Sequence, residues 1–116
     1  MNKRFTPVIS ATVLVTVKGS TKDAAGLPVP FKFSLTCTRL PASVLKERIQ
    51  GGEFDVKDVM KEVTTDWKGQ RLITDQETGQ PAEFCPEAFE AMLDISGMAL
   101  LCFNAYAKES SANEKN

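Results

Sequence analysis

The hydropathy pattern changes period near residue 40, and that change restricts the fold more than any other feature of the chain. Upstream, apolar residues recur at every second position. Ala11, Val13, Val15 and Val17 share one side of an extended chain, and Ser10, Thr12, Thr16 and Lys18 fall mostly on the other. In residues 29–38 the alternation is cleaner. Phe31, Phe33, Leu35 and Cys37 face one way, and Lys32, Ser34, Thr36 and Thr38 the other. β-Branched and aromatic residues at period two predict two strands with one buried and one wet face. Residues 19–28 are rich in turn formers and predict a long hairpin loop. A lone hairpin is only marginally stable, so this ribbon must dock on the downstream helices or on a copy of itself.

Downstream, the period is helical. Pro41 suits a first helical turn, Val44, Leu45, Arg48 and Ile49 continue it, and Gly51-Gly52 stops it. Asp55 reads as an N-cap with Asp58 behind it. Val56, Val59, Met60, Val63 and Trp67 then form one apolar stripe opposite Lys57, Asp58, Lys61 and Glu62, predicting a helix that runs on to the tryptophan. Arg71-Leu72-Ile73 is a candidate extended piece, and residues 75–81 make a polar turn. Cys85-Pro86-Glu87 starts a further helix, with Phe89, Met92 and Leu93 as its stripe and Phe84 placed to staple its first turn. Ser96-Gly97 breaks that helix, with Ser96 as a cap for the next. Residues 98–108 are mostly apolar, with Leu100, Leu101, Phe103 and Tyr106, and predict a buried or docking helix. The predicted architecture is α+β: an N-terminal antiparallel β-hairpin or ribbon, then a small bundle of about four short helices. It forms one domain over residues 1–108, with the ribbon in 1–39 and the helical part in 40–108. Residues 109–116 are a polar tail with nothing to bury, expected to be disordered.

Composition narrows the chemistry. The 116 residues contain no histidine, which removes imidazole ligands, His-based triads and the usual general base near neutral pH. Scattered carboxylates such as Glu83, Glu87 and Glu90 read as a solvated helix face, because carboxylate di-metal sites need His partners. No phosphate-cradling glycine loop is present, since Gly51-Gly52 lacks the required Lys and Ser or Thr. The three cysteines, Cys37, Cys85 and Cys102, are odd in number and widely spaced, so they frame neither a disulfide scaffold nor a zinc site. The sequence therefore predicts no catalytic residue, no cofactor and no metal. Fourteen basic residues against fifteen acidic ones give a net charge of −1 and no basic run, which disfavours nucleic acid as a partner. No stretch approaches the roughly 18 apolar residues of a membrane span, and the basic N-terminus is not followed by a secretory apolar core, so a cytoplasmic protein is expected.

Trp67, the only tryptophan, admits two readings: a core anchor closing the second helix's stripe, or an interface hot spot. The same two readings apply to Phe84, Phe89, Met92, Leu93, Leu101, Phe103 and Tyr106, either as core or as a surface for an apolar client.

Asp66-Trp67-Lys68-Gly69, a polar turn with Gly79, then Pro81-Ala82-Glu83-Phe84-Cys85-Pro86-Glu87-Ala88-Phe89 and Met92-Leu93 resemble the C-terminal pattern of tail assembly chaperones of long-tailed, siphovirus-like bacteriophages and prophages. The short apolar helix ending at Tyr106 fits the same pattern, as do the N-terminal ribbon and the Leu45–Ile49 helix. The likeness spans residues 5–108 and is densest over 62–106. Cys85 stands where the family usually has Ser or Thr as helix cap. The resemblance implies a non-enzymatic protein of the bacterial host cytoplasm. It implies binding to the tape measure protein, which it keeps soluble, recruitment of tail tube protein during tail morphogenesis, and absence from the mature virion. The exposed strand edge of the ribbon adds expected self-association. The rival readings are a structural virion protein (tail tube, terminator or head–tail connector) and a small bacterial adaptor domain.

Overall fold

A computed structural model describes Phe5, residues 9–52 and residues 54–111. The basic N-terminus, residues 1–4, and the end of the polar tail, residues 112–116, lie outside the described residues.

The expected strands form and run longer than predicted. β1 (Thr12–Lys22) and β2 (Pro28–Thr38) pair antiparallel, with Val15 opposite Leu35 and Val17 opposite Phe33. The long loop expected over residues 19–28 shrinks to a tight turn, because residues 19–22 continue β1. The Asp23 carboxylate explains this: it accepts the backbone N–H of Ala25 and of Leu27, both at 2.9 Å, and so replaces a longer connection. Gly19 keeps its place in the strand because Phe31 lies across it. A Cβ at Gly19 would sit 2.7 Å from the Phe31 ring and 3.0 Å from Leu101.

α1 (Ala42–Gln50) forms where Pro41 predicts it, but it buries no residue. Its tie to the body is Arg48, whose guanidinium forks onto the Glu62 carboxylate with Nη2 donating to Oε2 at 2.7 Å. α2 (Val56–Val63) starts at Asp55, whose carboxylate accepts the Lys57 N–H at 2.9 Å, and it buries Val59, Met60 and Val63. This helix does not continue to Trp67. It passes without a loop into β3 (Thr64–Lys68), which pairs antiparallel with β2 and completes a three-stranded sheet of order β1-β2-β3. The β-branched run Val63-Thr64-Thr65 is poor helix and good strand, and Thr64 already has an extended backbone at φ −87° and ψ 126°. Trp67 lands opposite Leu35 on the inner face, so period-two geometry keeps it in the core that helical spacing had also suggested. The part of the chain expected to be wholly helical thus donates one strand. The extended piece expected at Arg71-Leu72-Ile73 is instead a bend, closed beyond it by one bridge between Thr74 and Pro81.

α3 (Pro86–Leu93) starts as predicted. The Cys85 sulfur accepts the Ala88 N–H at 3.4 Å, so the thiol takes the place of a hydroxyl cap. Phe84 and Phe89, the residues before the cap and at the fourth helical position, meet at 5.6 Å between ring centres as a hydrophobic staple. The next helix is capped by Gly97 and not by Ser96, because the turn requires φ of 81° there. α4 (Met98–Ser110) runs two residues into the segment expected to be a loose tail. Arg39 accounts for the extension: its Nη1 donates to the Ser110 carbonyl at 2.7 Å and satisfies the end of the helix.

The result is a sheet with one face covered by α2, α3 and α4. The inner-face residues Val15, Val17, Leu35 and Cys37 are fully buried beside Met60, Met92 and Cys102. Lys57 stands 3.8 Å from Glu90 and 4.0 Å from Asp94, and Lys61 stands 3.7 Å from Glu90, bracing α2 against α3.

Burial decides the state of the thiols. It raises Cys102 from 9.0 to about 12 and raises Cys37, against a smaller lowering by the Thr64 hydroxyl. Both therefore remain neutral in the folded chain at neutral pH. In the unfolded chain they ionise near pH 9, so folding stability is complete below that pH and is lost as pH rises toward about 12. Urea unfolding midpoints are expected to fall between about pH 8 and about pH 10.5, and to fall less in Cys102→Ala. At pH 8, exposed Cys85 should react with iodoacetamide at once, and Cys37 and Cys102 only in denaturant. Rapid labelling of all three in the native chain would contradict this packing.

Candidate client-binding surface

The eight apolar residues singled out in the sequence separate into two groups. Trp67, Phe89, Met92, Leu93 and Tyr106 are buried core. Phe84, Leu101 and Phe103 are half-buried and pack against that core from its margin. The client-surface reading therefore fails for the first five, whose faces are already occupied by their own sheet and helices.

Trp67 shows how complete that occupation is. Its ring meets Phe84 edge-on at 5.5 Å and Phe89 at 6.1 Å. Its indole N–H donates to the Ala82 carbonyl at 3.1 Å. Gln70 shares that carbonyl. Its amide nitrogen donates to Ala82 and to Ile73, at 3.1 and 2.9 Å, and its amide oxygen accepts the N–H groups of Leu72 and Ile73, at 3.0 and 2.8 Å. Gln70 is 4% exposed, so one buried side chain makes four hydrogen bonds and ties Leu72 and Ile73 to Ala82 within the loop between β3 and α3. Sequence reasoning missed Gln70. A lone glutamine in a polar stretch gives no signal until the loop closes around it.

Exposed apolar side chains lie on the ribbon, at Leu14, Leu27 and Val29, and on the helical side along α4 and α1. Leu100 is 55% exposed and Ile49 is 51% exposed. Phe103 meets Phe54 edge-on at 5.5 Å. Phe54 in turn lines a groove of about 340 Å³ with Arg48, Gly51, Asp55, Asp58 and Val59, where α1 meets α2. On the helical side Leu100 and Ile49 stand open, and Phe103 and Phe54 are half-buried at the margin of the core. Phe54 is the member of this set that periodicity did not select, because it precedes its helix and belongs to no stripe.

Among the described residues, no group of three or more His, Cys, Asp or Glu side chains is arranged to hold a metal ion. No single helix among them is long and apolar enough to cross a membrane. Compared with known proteins, the chain matches no family model, no curated protein and no solved structure.

Proposed function

We propose that this chain is a phage tail assembly chaperone. It binds a tape measure protein in the bacterial cytoplasm, keeps that long apolar helix soluble, helps bring tail tube subunits to it, and is left out of the finished virion. It acts by binding and not by catalysis. The observation that carries this reading is α1, a helix with no buried residue. Its Ile49 stays exposed, as Leu100 does on α4, and Phe54, half-buried against Phe103 of α4, lines the groove between α1 and α2. A helix held this way is poised to exchange its exposed stripe for that of a client, which is what a holdase does. The family pattern over residues 62–106 supports the same reading, and its Trp67 and Phe84 serve as the loop's internal fasteners. β1, at the edge of the sheet, adds a strand for pairing with an extended client segment or with a second copy.

Co-expression with the tape measure protein tests the proposal. The soluble fraction of tape measure protein is expected to rise several-fold with the wild-type chain and to return to baseline with Ile49→Ser combined with Phe103→Ser. Circular dichroism should show both chaperone forms folded. A client equally soluble with either form would dismiss this surface, and detection of the chain in purified virions would favour a structural virion protein.

A further inference from the structure

The two layers of the fold carry opposite charge on their outward faces. On the sheet, the residues pointing away from the core bring Lys18, Lys22, Lys32 and Lys68 together from three strands. Lys18 stands directly opposite Lys32, a cross-strand pair of like charge that costs stability in an isolated chain. Among the described residues, none of these four lysines has a carboxylate within ion-pair distance. Asp66 is the acidic residue of this face, and Glu109 borders it from α4. On the opposite side, α2, α3 and their cap residues carry six carboxylates, Asp55, Asp58, Glu62, Glu87, Glu90 and Asp94, against two lysines; Glu62 is taken by Arg48, both lysines stand against Glu90, and Lys57 also reaches Asp94. Asp58, Glu87 and Asp94 stand exposed there.

We propose that copies of this chain associate head to tail, with the lysine face of one sheet docking on the α2–α3 carboxylate surface of the next copy. The two faces lie on opposite sides of a two-layer body, so they cannot neutralise each other within one copy. Two lysine faces repel, which disfavours a two-fold sheet-to-sheet dimer. Unlike faces attract, and such a contact is heterologous, so it repeats along a stack or closes into a ring. Leu14, 62% exposed on the lysine face, supplies apolar contact at the junction. The like-charged Lys18–Lys32 pair is then relieved by the neighbour's carboxylates. Surface charge alone motivates this stacking, which is independent of the chaperone reading.

Sedimentation velocity of the full chain tests it. Concentration-dependent assembly is expected at about 50 mM NaCl, weakening roughly tenfold or more at about 500 mM as screening sets in. Lys18→Glu with Lys32→Glu should be monomeric alone, and so should Glu87→Lys with Asp94→Lys. An equimolar mixture of the two variants should associate again, because each supplies the face the other has lost. Lys18→Thr with Lys32→Thr and Glu87→Gln with Asp94→Asn repeat the single-face tests without reversing charge, should a reversal impair folding. A wild-type chain that stays monomeric at low salt overturns the proposal. So does association indifferent to salt, which is the behaviour of strand-edge pairing, or a mixture that fails to recover assembly. A monomer that instead binds heparin would give the lysine face to another polyanion and equally overturn it.

Discussion

Trp67→Ala is expected to destabilise the chain by about 3–5 kcal/mol, the usual cost of emptying a buried indole site. For a domain of this size that is a large share of a total of roughly 5–15 kcal/mol, and it lowers the melting temperature by at least about 12 °C. The side chain is 8% exposed and packs against two aromatic rings, so its removal unstaples the loop from β3 to α3 as well as opening a cavity. Trp67→Phe separates the contributions. It retains most of the packing and loses the bond to Ala82, whose carbonyl still accepts from Gln70, so a smaller loss of about 1–2 kcal/mol is expected. Thermal and urea unfolding measure both. As the only tryptophan, Trp67 also reports on its own site, with native emission at short wavelength that shifts red on unfolding. A Trp67→Ala chain melting within about 3 °C of wild type would return this residue to the interface reading.

Tyr106 carries the second large effect. It is 1% exposed, and its hydroxyl donates to the Thr38 carbonyl at 2.8 Å while accepting the Leu40 N–H at 3.0 Å. One phenol thus ties the end of α4 to the chain leaving β2, beside the Arg39 contact to Ser110. Tyr106→Phe leaves both backbone groups without their partner and is expected to cost about 1–3 kcal/mol. Tyr106→Ala adds the cavity and should reach about 3–5 kcal/mol. Hydrogen exchange locates the damage: the Leu40 amide should lose protection in Tyr106→Phe while the amides of β1 and β2 far from it keep theirs. Unchanged protection at Leu40 would mean that the hydroxyl bridge does not hold this junction.

Trp67 and Lys18 illustrate how far the sequence reaches. Trp67 is apolar, large and on the same stripe as Val63 under helical spacing, and it is buried in fact, but by way of a strand. β3 carries it to the inner face opposite Leu35, across a register shift at Thr36 and Cys37 that leaves Thr64 buried as well. Periodicity alone could not separate the two over five residues. The Lys18 cluster shows the opposite case. In sequence it is four separated lysines within a chain of net charge −1, and it becomes a face only once three strands lie side by side.

Local physics fixed the features that neighbours in sequence decide. The strand alternation of residues 29–38, the Pro41, Asp55 and Pro86 helix starts, the Phe84 staple and the breaks at Gly51-Gly52 and Gly97 all act within a turn or two, so they are legible in the residues themselves. Tertiary structure decided the features that depend on distant partners. β3 exists because β2 offered an edge to a run that was already poor helix. α4 extends to Ser110 because Arg39, seventy-one positions away, satisfies its last carbonyl. Gln70 matters because Ile73 and Ala82 close over it. Which apolar residues became core and which stayed open was settled last, because burial is a property of the assembled layers and not of any one segment.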